Sequence, residues 1–344
     1  MTKSYINFTN LLIKLNFIGV IMNKFDNENG QEKINEKKQI IKNIINLKKE
    51  KNAIILAHNY QPREIQEIAD FIGDSLELCI IAEKTDADII VFCGVDFMAE
   101  TAKILNPAKK VLLPEIMDTE CPMAHQLPPE IIIEAKKENP DAKVVIYVNT
   151  LASAKALADA TCTSANADKV VNLFDEKTIL FGPDNNLAYF VEKRSDKTII
   201  PIPKGGHCYV HKMYTLEDVK KVKAEYPNSE LLIHPESSPE VQDVADHIMS
   251  TGGMVKHVLN SPVDTFIIGT ECDMISRLNI ELEKVGKSKK LVPLRADAIC
   301  NPMKHITLEK IETCLINEKY EVNLDEEIIK KAKVAIDKML SLNK

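Results

Sequence analysis

The chain states one pattern three times. Three sets of segments agree in register: AHNYQ, EIADFIGDS, VFCGVD and LLPEIMDTEC; then YVNT, ALADATCTS, LFGPDN and IPIPKGGHC; then HPESS, DVADHIMST, IIGTEC and LVPLRADAIC. His58, Tyr147 and His234 each close an apolar run, and an aspartate follows twelve positions later in every copy (Asp70, Asp159, Asp246). A hydroxyl stands five residues beyond it (Ser75, Ser164, Thr251), and a glycine eighteen or nineteen further on (Gly94, Gly182, Gly269). Each copy ends in a cysteine, at Cys121, Cys208 and Cys300. A period of about ninety residues is too long for a solenoid unit, so the pattern reads as triplication of a small domain. Three like modules around a pseudo-threefold axis point equivalent groups at one central place.

Local periodicity gives the fold class. Residues 31–50 carry Ile and Leu at helical spacing among charges, which predicts an amphipathic helix. AIILA is a short, continuous apolar run of the kind buried on both faces of a parallel sheet. Next come a helix over PREIQEIADFIG with Pro62 in its first turn, a helix over LELCIIAEKT, the strand DIIVFCG, the helix DFMAETAKIL and the strand KVLLPE. The same alternation recurs from KVVIYVN and again from ELLIHP. It predicts an α/β protein of three homologous αβα domains with parallel sheets, set as a pseudo-threefold triangle around a central cavity. The expected divisions are 31–125, 126–212 and 213–300, with the helices of 301–344 packing back on the first domain. Residues 1–30 are expected to be a poorly ordered extension, with Met22 as a candidate start.

Composition narrows the partners. A net charge of −7 without a long basic stripe argues against nucleic acid. The stretch FTNLLIKLNFIGVIM is too short and too interrupted to span a bilayer, and it lacks the form of a signal peptide. Eight cysteines in 344 residues, mostly within apolar runs, do not form a secreted disulfide framework, so a reducing cytoplasm is expected. Cys79, Cys93, Cys162, Cys272 and Cys314 read as small buried hydrophobes.

The repeated positions carry the chemistry. Ligands of open α/β sheets bind beyond the carboxyl ends of the strands. His58 and Tyr60, Tyr147 and Asn149, and His234 and Glu236 stand at such ends, each pair sharing one side of an extended segment. Ser75, Ser164 and Thr251 precede helices, where a hydroxyl either caps the helix or joins its free N–H groups in holding an anion. Their recurrence favours a shared anionic ligand. His125, His207, His211, His247, His257 and His305 lack this repeat logic and receive no catalytic role, although His207 adjoins Cys208. Three cysteines meeting at one axis leave an open coordination position on the group they hold. Ligand type allows either zinc or a cubane iron–sulfur cluster.

Taken together these residues resemble the quinolinate synthase family, the iron–sulfur enzymes of the bacterial and archaeal route to NAD. The resemblance runs from about Ile34 to the C-terminus, through AHNYQ, IADFIGDSLEL, FCGVDFMAETAKILNP, CTSANADKVV, FGPDNNLA, HPE and STGGM. It implies a [4Fe-4S] cluster on Cys121, Cys208 and Cys300, and substrate contacts from His58, Tyr60, Ser75, Tyr147, Asn149, Ser164, His234, Glu236 and Thr251. It implies condensation of iminoaspartate with dihydroxyacetone phosphate to quinolinate, with release of phosphate and two waters. Tyr60 and Glu236 would move protons, His58 and His234 would assist, and an aspartate oxidase or dehydrogenase would supply the unstable imine. Some relatives carry a second cysteine three positions after the last ligand. Met303 stands there, so no thiol switch is expected. In STGGM, either Ser250 or Thr251 could face the ligand. The rival readings are a zinc lyase or hydrolase on the same triangle, and a non-catalytic binder of an anionic metabolite.

Overall fold

The computed structural model describes residues 28–343, so the expectation for the leading residues lies almost wholly outside them. The amphipathic helix predicted over 31–50 spans Glu28–Glu50. Twelve strands follow in three sets. The first is β1 (Ala53–His58), β2 (Phe71–Gly73), β3 (Ile89–Cys93) and β4 (Lys110–Leu112). The second is β5 (Lys143–Tyr147), β6 (Ala160–Cys162), β7 (Thr178–Gly182) and β8 (Thr198–Pro201). The third is β9 (Glu230–Ile233), β10 (His247–Ile248), β11 (Thr265–Gly269) and β12 (Lys290–Pro293). Each set forms a four-stranded sheet in the order second, first, third, fourth, with every pairing parallel. The fold is α/β, with three parallel sheets flanked by helices.

The repeated aspartate explains a difference from the sequence reading, which ran ADFIG into a helix. The helix stops at Ile68, and Phe71–Gly73 pairs with β1 as an edge strand. Asp70 makes the switch: its N–H donates to Ile55 O while its carboxylate accepts the Ile55 N–H at 2.7 Å. Asp159 does the same with Val144, at 2.8 Å, and Asp246 takes the Leu231 N–H at 2.7 Å. A hydrogen bond to a charged group contributes about 1.5–3 kcal/mol, enough to end a marginal turn of helix and dock the next residues on the sheet. The apolar spacing alone looked helical because two- and three-residue strands are too short to show alternation.

The repeated glycines stand where chain meets chain. A Cβ on Gly182 would lie 1.9 Å from Ile202 O, and one on Gly269 would lie 2.1 Å from Ile233 Cδ1. The core is shared between modules. One cluster joins Ile55 and Ile90 of the first sheet to Val145 and Phe181 of the second and to Ile311 and Ile336 of the C-terminal helices. The helix Leu308–Asn317 lies on Glu28–Glu50, whereas Glu326–Leu340 lies mainly over β6 and the short helix Ala152–Lys155 of the second set. The third sheet has two apolar faces: Leu231, Ile233 and Ile267 on one, Leu232, Phe266 and Ile268 on the other. No described helix is long and apolar enough to cross a membrane.

Candidate active site

All twelve residues singled out from the repeats line one cavity: His58, Tyr60, Ser75 and Cys121 from the first module, Tyr147, Asn149, Ser164 and Cys208 from the second, and His234, Glu236, Thr251 and Cys300 from the third. Parallel strands explain the convergence. β1 and β5 end at His58 and Tyr147, and His234 directly follows β9, so the carboxyl ends of all three sheets open on the same space.

The histidines at the strand ends are held alike. His58 Nδ1 accepts the Tyr60 N–H at 3.2 Å, and His234 Nδ1 accepts the Glu236 N–H at 3.4 Å. Each imidazole therefore carries its proton on Nε2. Burial lowers both pKa values to about 3, keeping the rings neutral. They are hydrogen-bond donors without charge. His234 Nε2 lies 3.2 Å from Ser164 Oγ.

The hydroxyls are free of the capping duty that a lone Ser or Thr would have. Asp74 caps the helix Ser75–Lys84, and Ser250 caps Thr251–Asn260 through the Gly253 N–H. Within STGGM, Ser250 holds the helix, while Thr251 lines the cavity and accepts from Asn59 Nδ2 at 2.9 Å. In the second module, Asn166 Oδ1 takes the Thr163 N–H, and the helix starts only at Ala167. Asn149 Oδ1 is buried without a partner, an acceptor that a ligand would satisfy.

One buried histidine joins the residues singled out from the repeats. His211, set aside for want of a repeat, lines the cavity, with Nδ1 2.8 Å from Glu236 Oε2 and Nε2 2.9 Å from Thr270 Oγ1. Tyr60 Oη lies 2.5 Å from the same Thr270 oxygen, and Tyr147 Oη donates to Glu236 Oε1 at 2.7 Å. A row of close contacts thus runs Tyr60–Thr270–His211–Glu236–Tyr147, in which the His211–Glu236 step is a close N···O approach rather than an aligned hydrogen bond. Burial alone would raise the Glu236 pKa, but His211 and His234, with the bonds from His211 and Tyr147, outweigh it and hold the carboxyl well below the usual range. Burial, reinforced by Glu236, pushes both tyrosines well above their ordinary value. His211 follows Cys208 by three positions, where Ala124 and Met303 stand in the other copies, so residue type hid a positional repeat. His207 instead turns its Nδ1 to the Gly205 carbonyl, 2.8 Å away.

Cys121, Cys208 and Cys300 are free thiols, each partly buried. Burial raises the pKa of all three, that of Cys300 to about 12, so a group bound there must displace their protons. Cys79, Cys93, Cys162 and Cys314 are buried as expected, whereas Cys272 is half-buried. Among the described residues, Cys208, His211 and Glu236 also have ligand atoms within 4.8 Å of one another.

Three parallel α/β sheets with a shared cavity at their carboxyl ends, lined by histidines, hydroxyls and thiols, define an enzyme of triplicated architecture. The chain belongs to the family described as "Quinolinate synthetase A protein", which it matches over residues 42–341. It is 66% identical over 303 residues to the quinolinate synthase of Methanocaldococcus jannaschii, covering 88% of this chain and 99% of that protein. It is 59% identical over 306 residues to that of Methanothermobacter thermautotrophicus, covering 89% and 99%. With that of Thermotoga sp. it shares 47% over 303 residues, covering 88% and 99%.

Proposed function

We propose that this chain is a quinolinate synthase, condensing iminoaspartate with dihydroxyacetone phosphate to quinolinate, phosphate and two waters in the formation of NAD. The carbons of both substrates are retained and no external oxidant is needed. The observation that carries the reading is the meeting of all twelve repeat-derived residues in one buried cavity.

The donor set fits an iron–sulfur group. Three thiols line the cavity, yet their sulfurs are not all within 4.8 Å of one another, the closeness that ligands of a single ion keep. A [4Fe-4S] cluster on Cys121, Cys208 and Cys300 would offer one iron without a thiolate, a Lewis acid toward a substrate oxygen. The remaining work falls to the protein. His58 and His234 present neutral Nε2–H donors to carboxylates. Ser75 and Thr251 place hydroxyls at the first turns of ten-residue helices, beside N–H groups suited to carboxylate or phosphate. Tyr60 stays protonated because its pKa is raised, so it can act as a base only once its proton has left. Its proton can pass through Thr270 to His211, whose imidazolium then faces the ionised Glu236.

Anaerobic reconstitution followed by an assay for quinolinate from the two substrates tests the proposal. A brown, cluster-loaded protein that makes no quinolinate would end it. The Cys208, His211 and Glu236 trio favours a second reading, a zinc lyase, for which the protein would purify colourless and zinc-replete.

A further inference from the structure

Each module places one carboxylate at the same point, and none of the three was singled out from the sequence. Two residues past the repeated glycines stand Asp96, Asp184 and Glu271. Asp96 Oδ1 accepts the backbone N–H of Cys121 at 3.0 Å, Asp184 Oδ2 that of Cys208 at 3.0 Å, and Glu271 Oε1 that of Cys300 at 3.2 Å. Every cysteine is thus gripped at its amide by a carboxylate.

The surroundings of the carboxylates differ, which isolates what they share. Asp96 has His125 Nε2 at 2.7 Å. Glu271 has Lys304 Nζ at 2.7 Å, and that lysine also bonds Asp273 and the Tyr60 carbonyl. Asp184 is fully buried; beyond the Cys208 amide, backbone N–H groups of Leu187 and Asn186 hold it. A buried carboxylate is costly unless hydrogen-bonded, and a helix cap alone could be made by Ser or Asn. The constant element is the cysteine amide. Each bond ties the loop that carries the sulfur to the turn after a central strand, 24 to 29 residues away.

We propose that Asp96, Asp184 and Glu271 are positioning residues for the metal-binding cysteines, setting the register of each ligand loop. The inference rests on the reading of Cys121, Cys208 and Cys300 as ligands. Outer partners of metal ligands typically change affinity about 10–100-fold when removed. The same fall is expected for Asp184→Ala.

The test uses the full chain, freed of metal under reducing, anaerobic conditions and titrated with Co²⁺ alone. Thiolate-to-cobalt charge-transfer absorption counts the sulfurs bound. A parallel sample is loaded with iron and sulfide and timed for cluster loss to a chelator. Asp184→Ala should bind Co²⁺ about 10–100-fold more weakly, with fewer thiolates per ion, and lose its cluster faster. Asp184→Asn keeps an acceptor for the Cys208 amide and should recover most of the loss. Asp159→Ala removes the equivalent grip on Val144, far from any of the three cysteines in sequence, and should lower the melting temperature without weakening cobalt binding. Parent-like binding by Asp184→Ala overturns the inference, as does an Asn variant that melts like the parent yet binds as poorly as Ala. A parent chain that takes up neither cobalt nor cluster sinks the ligand reading itself.

Discussion

The two ends of the cavity are built on opposite plans. At the thiol end the three modules agree: a cysteine with a carboxylate on its amide, three times over. At the other end they diverge, supplying His58 and Tyr60, Tyr147 and Asn149, and His234 and Glu236 from equivalent strand ends, with His211 and Thr270 entering out of pattern. Likeness in triplicate suits the holding of a group with like corners. Unlikeness suits a reaction, because its substrates are not threefold symmetric and protons must move one way. Duplication left the first end alone and differentiated the second.

The contrast breaks most completely at the thiol end. Cys121→Ser should abolish both metal uptake and quinolinate formation, read as iron content and product. An active, iron-loaded variant would leave the triplicated end without a purpose. At the divergent end, Glu236→Gln should lower kcat by about 10²–10⁴ while cluster content stays at the parent level. A change in KM alone would make Glu236 a binding residue only. Acid separates the ends next. His58 and His234 have pKa values near 3 in the fold against 6.5 when unfolded, so the unfolded chain binds more protons between these values. Stability of the metal-free chain should therefore be complete above pH 6.5 and fall as pH drops, by up to about 1.4 kcal/mol per pH unit for each histidine. Urea unfolding at pH 7, 6 and 5 reads this, and His58→Gln should remove one share of the slope. The thiols, with raised pKa values, stay protonated and silent throughout. The smallest effect divides neighbours. Ser250→Ala should cost about 1 kcal/mol of stability as a lost cap and leave KM unchanged, whereas Thr251→Val should raise KM. The reverse outcome would return the ligand contact to Ser250.

How much of this was legible in the sequence follows the same division. Positions repeated by residue type were readable: Asp70, Asp159 and Asp246 marked equivalent folds of chain, and the twelve cavity residues followed from them. Positions repeated only by place were not. His211 shares its register with Ala124 and Met303, so type comparison discarded it. Asp96, Asp184 and Glu271 were passed over because GVD, GPD and GTE read as strand-to-helix turns, and the amides they hold lie 25, 24 and 29 residues away. The edge strands were hidden because a side-chain bond to the backbone, which periodicity cannot report, ends the preceding helix. Thr270 has no repeat partner of its kind. Only the fold sets it between Tyr60 and His211.

The relay from Tyr60 to Tyr147 also changes what mutual seating of the modules means. Its members come in turn from the first, third, second, third and second thirds of the chain, joined at distances from 2.5 to 2.9 Å. A slip of about 1 Å at a seam would carry a link past hydrogen-bonding reach. These contacts hold only when the three pieces are flush, so the proton path proposed above would fail wherever the modules gape.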